Sequence, residues 1–172
     1  MPIRGRTIRK AAIVAIVLAS GVVACTNKKE SIQPHIASLD AIERQLGHKV
    51  ARPGATLGAK LIRSGLLESS GSTFAGGTAV ASYRWRDHIV LIRQGHPASG
   101  WSLHGSILRS DAAFTSRADG SEVALTPQVA GSSASGYVVS GAWLVEVEVA
   151  PRTAKGPVPF GDLRAFVDGL EL

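Results

Sequence analysis

Hydrophobic positions along the chain change period twice, dividing it into helix, sheet and helix. Over 38–47 the apolar residues Leu39, Ile42 and Leu46 recur at helical spacing, which predicts a short amphipathic helix. Ser38 is placed to cap its first amides, and Asp40 suits the positive N-terminal end. Asp40 and Arg44 are spaced for an i,i+4 ion pair, and Gly47 supplies a left-handed stop. Near the other end Leu163, Phe166, Val167 and Leu170 fall at i, i+3, i+4 and i+7, one apolar stripe of a second short helix.

Between the helices the period is two. Val80 to Trp85 and His88 to Gln94 flank Arg86-Asp87 as a hairpin. In that register Ala81, Tyr83 and Trp85 share a face with Val90 and Ile92, while Arg84 and Arg93 point the other way. Ile89 to Ile92 is apolar on both faces, as a central strand is. Asp119-Gly120 is the dipeptide of a type I′ turn, and it sets Phe114 opposite Leu125 and Arg117 opposite Glu122. A third turn at Ser140-Gly141 leaves Trp143, Val145, Val147 and Val149 on the core side and Glu146 and Glu148 facing water. Ala59 to Glu68 reads as a strand, with helix left open by its Leu and Ile content, and Leu103 to Leu108 as a further pairing segment. Residues 69–77 and 131–136 read as loops. No internal repeat is evident. The fold class is α+β: an antiparallel sheet of about five to seven strands bracketed by a short N-terminal and a short C-terminal helix.

The first 24 residues follow neither pattern. Arg4, Arg6, Arg9 and Lys10 form a basic start without an acid, and Ala11 to Ala24 is an uncharged run. Such a run rises only about 21 Å as a helix, short of the ~30 Å hydrocarbon layer, so it reads as a secretory signal peptide rather than a span. Val22-Val23-Ala24-Cys25 then resembles the lipobox of bacterial lipoproteins. That resemblance implies cleavage before Cys25, a diacylglycerol on its sulfur and a further acyl chain such as palmitate on the new amino group. Two or more chains give stable anchoring where one is marginal. Thr26 follows the cysteine in place of Asp, which in enteric bacteria resembles outer-membrane sorting. Residues 26–33 look like a polar tether. The organisation is therefore signal peptide 1–24, lipidated tether 25–33 and a single globular domain 34–172, in the envelope and facing the periplasm.

Composition takes its meaning from that division. The chain has 172 residues, 19 basic and 13 acidic, one cysteine, and a formal charge of +6. Removing the four basic residues of 1–24 leaves 15 against 13 acids, near +2, which is no nucleic-acid footprint. One cysteine excludes an internal disulfide framework and any zinc cluster of paired cysteines.

Candidate chemistry is sparse. His35, His48, His88, His96 and His104 form no helical ligand pair, and His88, beside a turn, reads as solvated. His96 and His104 flank a loop containing Trp101 and, with Asp111, are the one arrangement suited to a metal or hydrolase site. Gly-x-Ser-x-Gly and the phosphate-binding glycine loop are absent. Glu146 and Glu148 lie about 7 Å apart on one strand face, with an exposed alternating strand as the simpler reading. No cofactor is implied. Arg84, Arg86 and Arg93 surround one hairpin near Tyr83 and Trp85. Arginine and aromatics together suit a protein partner, and Arg84, Trp85, Arg86 and Arg93 are the candidate contact residues.

The order of segments resembles the periplasmic region of some transmembrane anti-sigma factors. The matching stretches are 39–47, 77–90, 136–149 and 162–166. The resemblance implies a non-catalytic envelope domain that meets protein partners. The cytoplasmic sigma-binding portion, its zinc ligands and a spanning helix have no counterpart here, so no functional residue is carried over. The sequence thus leads to a lipid-anchored accessory or assembly protein that is not an enzyme. A glycan or small-ligand module acting through the Trp101 loop or the basic hairpin is the alternative, and a hydrolase the third reading.

Overall fold

A computed structural model describes residues 35–68, 71–108, 111–128, 133–153 and 156–172. The segments read above as signal peptide and tether, with Cys25, lie outside the described residues.

In chain order the elements are β1 (His35–Ile36), α1 (Leu39–Leu46), β2 (Arg52–Pro53), β3 (Lys60–Leu67), β4 (Thr78–Trp85), β5 (His88–Gly95), α2 (Leu103–Ser106), β6 (Ala113–Ser116), β7 (Glu122–Thr126), β8 (Ala134–Ser140), β9 (Trp143–Pro151), α3 (Phe160–Asp168) and β10 (Leu170–Glu171). One antiparallel sheet runs β1-β3-β4-β5-β9-β8-β7-β6, with two-residue β1 on its border and seven longer strands inside. A two-residue ribbon, β10 on β2, ties the end of the domain to the segment after α1. The architecture is the expected α+β arrangement, with β5 and β9 at the centre.

Strand parity gives the sheet two unlike faces. On the inner face Ala81, Tyr83, Trp85, Val90, Ile92, Val123, Val138 and Val147 are buried, and α3 lays Leu163, Phe166 and Val167 on them. A Cβ at Gly136 would sit 2.7 Å from the Val167 Cγ2, so the missing side chain is what lets α3 approach β8. Helix α1 covers the β3–β4 end, where Ile42, Val50, Leu66 and Ala79 form a smaller cluster. The Ser38 hydroxyl accepts from the Ala41 N–H at 3.3 Å, and Gly47 ends α1 at a φ of 66°. Arg44 reaches back 3.3 Å to the Asp40 carbonyl oxygen, so the expected i,i+4 contact is to backbone and not to the carboxylate.

Three local expectations are corrected. The hairpin between β6 and β7 is out of the expected register by one residue, with Phe114 opposite Ala124 and Ser116 opposite Glu122. Arg86 is the sole described non-glycine residue at positive φ, so Asp119 does not take the type I′ conformation. The Asp119 carboxylate instead accepts from the Ser121 N–H at 2.9 Å, and Gly120 alone enters the left-handed region at 84°, a three-residue loop. The slip turns Phe114 to the outer face, where it is 42% exposed. Leu103 to Leu108 does not pair. Ser102 caps Gly105 at 3.1 Å and starts the single turn α2. Ala134 to Gly136 is strand rather than loop, because Gly136 is the contact point for α3.

Candidate interaction surfaces

The four residues expected to share one contact surface are dispersed by strand parity and by ion pairing. Trp85 points inward, is 2% exposed, and meets the Phe166 ring edge-on at 5.0 Å between centroids. Arg86 occupies the turn, lies over the Trp85 ring at 4.5 Å, and pairs with Asp162 near the start of α3. Arg93 is on the outer face of β5, held by Glu146 at 3.0 Å and by Glu148 at 2.5 Å. Of the four, only Arg84 is exposed and has no ion pair among the described residues. A surface made from all four does not form, because a tryptophan in an inward position on a half-buried strand serves the core first.

The two glutamates also depart from expectation. Both are on the outer face, but Glu146 is buried, since it lies in the middle of the sheet between Arg93 of β5 and Tyr137 of β8. Burial raises the Glu146 pKa against the pull of Arg93, and the neighbouring Glu148 adds to the rise. Burial and the same carboxylates push the Tyr137 hydroxyl up to about 12. Trp101, half-buried in the β5–α2 connection, tilts toward the Tyr137 ring at 6.4 Å. The arrangement is an ion cluster that stitches β5, β9 and β8 together. It presents no nucleophile and no metal set.

A folded pKa above the ordinary 4.5 means that the native state holds the Glu146 proton to higher pH than the unfolded chain does. Stability therefore falls as pH rises from the unfolded to the folded value of this group. Glu43 and Asp119 act with the opposite sign. The Val50 N–H lowers Glu43 and the Ser121 N–H lowers Asp119, so their stabilisation is lost as pH falls. In Glu146→Gln the first contribution disappears and the other two remain. Urea midpoints measured across the acid-to-neutral range should show the variant gaining on the parent as pH rises above 4.5 and then running parallel. A constant difference at all pH values would contradict the burial of this carboxylate.

The histidines are spoken for by rings and strands far apart. His96 stacks on Trp143 at 4.2 Å and His48 on the same indole at 4.3 Å, while His104 stacks on Phe114 at 4.4 Å. Trp143 is on β9 and Phe114 on β6, with β8 and β7 between them. His96 and His104 therefore serve different aromatic contacts, and the structure does not assemble them with Asp111. Among the described residues no group of three or more His, Cys, Asp or Glu is placed to hold a metal. His88, expected in solvent, is buried with its Nε2 3.2 Å from Asp162, and together with Arg86 it fastens the β4–β5 hairpin to α3. A cleft of about 310 Å³ lies beside α1, lined by Asp40, Glu43, Lys49, Arg52 and Glu171. Its Glu43 is already bound by the Val50 amide and by Arg52. The cleft holds charge of both signs.

What sequence reading missed are the two borders of the sheet, which differ in kind. Among the described residues β6 has a partner on one side only, so the backbone of 113–116 is open on the other. That strand carries no charge, no proline and no bulge, the devices that usually guard an edge. Phe114, within this strand, is 42% exposed on the outer face. The signal was present in the sequence as an uncharged Ala113-Phe114-Thr115-Ser116, but its place at the border depends on the long β5–β6 crossing. At the opposite border β3 is bulged and guarded by Lys60 and Arg63.

No family model, no curated protein and no solved structure matches this chain.

Proposed function

We propose that the protein is a lipid-anchored envelope component whose domain binds a protein partner without catalysing a reaction. The lipobox Val22-Val23-Ala24-Cys25 supports the anchor. The observation that carries the binding role is the unguarded β6 edge with Phe114 exposed on it. Such an edge offers main-chain hydrogen bonds to an extended strand and apolar contact to its side chains, the mode of β-strand addition. The partner read from this chemistry presents an extended segment with an apolar residue opposite Phe114. The layout shared with periplasmic anti-sigma regions supports the same role.

A photo-crosslinker replacing Phe114, in the chain expressed in its own envelope, should capture one reproducible partner. Ala113→Lys with Ser116→Lys, two charges placed at exposed positions of this strand, should abolish capture while circular dichroism stays unchanged. Capture that survives both charges, or that occurs equally from a crosslinker at Arg84, would overturn the assignment of this edge. Mass spectrometry of the mature N-terminus tests the anchor separately, and an unmodified Cys25 would overturn it.

A second reading, a glycan or small-ligand module, rests on the Trp101–Tyr137 pair beside Arg93 and Glu148. It predicts ligand-dependent thermal stabilisation that is lost in Trp101→Ala.

A further inference from the structure

The β3 border carries a second surface with different chemistry. We propose that Lys60, Arg63 and Arg84, with Ile62 in the bulge between them, dock on the anionic surface of the membrane that holds Cys25. This inference rests on the lipid-anchor reading above and adds how the domain sits on that membrane.

In a regular strand residues three apart point to opposite faces, which would separate Lys60 from Arg63. Here Leu61 pairs with Tyr83 and Arg63 with Ser82, so Ile62 is an extra residue and the strand bulges. The bulge returns Arg63 to the outer face, beside Lys60. Lys60 in turn pairs directly with Arg84 across β3 and β4. Like charges directly opposite are unfavourable in a sheet. Among the described residues no carboxylate pairs with any of the three, and all three are exposed. Of the other arginines on these strands and their turn, Arg93 is neutralised by two glutamates and Arg86 by Asp162. The corner is therefore left charged and calls for an external anion.

Two observations say which anion. Ile62, the extra residue of the bulge, is 52% exposed, and Ile36, which shares the outer face through its pairing with Gly65, is 76% exposed, while Leu61 lies on the other face opposite Tyr83. Apolar side chains interleaved with cations fit a headgroup–acyl boundary, whereas a soluble anion has no use for them. Second, the chain enters the sheet at this border. β1 begins at His35 and pairs with Gly65 and Leu66 of the same strand, leaving 60–63 uncovered. Ten residue steps separate Cys25 from His35, a reach of at most about 35 Å. A lipid on Cys25 thus tethers the chain at this border, whereas the β6 edge lies six strands away from β3 at the far side of the sheet. The two borders then divide the work, one facing the bilayer and the other a partner strand.

The test uses the lipidated chain in vesicles of phosphatidylcholine, with and without phosphatidylglycerol. With Cys25 carrying lipid, Ile62→Cys supplies the only free thiol for a nitroxide, and Ser116→Cys labels the far border. The label at 62 should become more accessible to oxygen than to a nickel chelate only when phosphatidylglycerol is present, and the label at 116 should not respond. Lys60→Gln, Arg63→Gln and Arg84→Gln should each lower the ratio of docked to undocked chain about fivefold. A label at 62 that is equally wet in both vesicles, or equally buried in both, overturns the docking while mass spectrometry of the same sample shows Cys25 lipidated. A chain with no lipid on Cys25 overturns the anchor reading and the docking with it.

Discussion

Phe166→Ala is expected to lower the free energy of unfolding by about 3–5 kcal/mol, measured as a shift in urea midpoint at unchanged slope. Phe166 has no solvent exposure, and its ring meets Trp85 edge-on at 5.0 Å. Through it α3 holds the inner face of β4 and β5 as well as β8. The void left by alanine has little room to collapse, because α3 already stands at the closest approach that Gly136 permits. Domains of this size have about 5–15 kcal/mol in all, so the loss is a large fraction of the total. Trp85→Ala should cost a similar amount. In the double variant the two losses should fall short of additive by about 0.5–1.5 kcal/mol, the part that belongs to the ring pair itself. A loss below about 1 kcal/mol in the single variant would mean that α3 does not seal this face.

The elements with strong local signals are legible in the sequence. The caps at Ser38 and Gly47, the stripe Leu163–Phe166–Val167 and the two-residue loop at Arg86-Asp87 all form where period and cap chemistry place them. The centrality of β5 follows from a strand apolar on both faces. What local signals do not carry is neighbourhood. Parity puts Glu146 on the outer face, yet the same parity describes a wet glutamate and a buried one. The difference is made by β5 and β8 closing on either side of β9, and the β5–β9 pairing joins residues far apart in sequence. The same holds for Asp119, whose side-chain bond to Ser121 selects a longer loop than Asp-Gly alone suggests.

The candidate site is legible to a smaller degree, and for a related reason. Arginine and tryptophan types near one hairpin suggest a contact surface, but alternation sends Trp85 inward and Arg84 outward, and ion pairs with distant carboxylates engage Arg86 and Arg93. The residues that remain unpaired are a matter of topology. The charge corner exists because β3 bulges at Ile62, and the bare edge exists because the chain crosses from β5 to the far border before returning.

Gln94 gives the second large expected effect. It is 2% exposed, on the inner face of β5 in line with Val90 and Ile92. Its amide binds the loop after α1 at two points, accepting from the Ala51 N–H and donating to the Lys49 carbonyl at 3.0 Å. Gln94→Leu keeps the volume and removes both bonds, leaving the buried Ala51 N–H and the part-buried Lys49 carbonyl without these partners. A buried orphaned group costs about 1–3 kcal/mol and a part-buried one less, so a loss of about 2–4 kcal/mol is expected. Hydrogen exchange separates two ways in which that loss can appear. If the loop stays in place, exchange quickens across the whole sheet in step with the global loss. If 49–53 detaches, the Ala51 amide and the β2–β10 ribbon exchange fast while β5 and β9 keep their protection, since Gln94 is the side chain that ties this loop to the central strands. Unchanged protection at Ala51 in either case would show that the amide is not what holds the loop to the sheet.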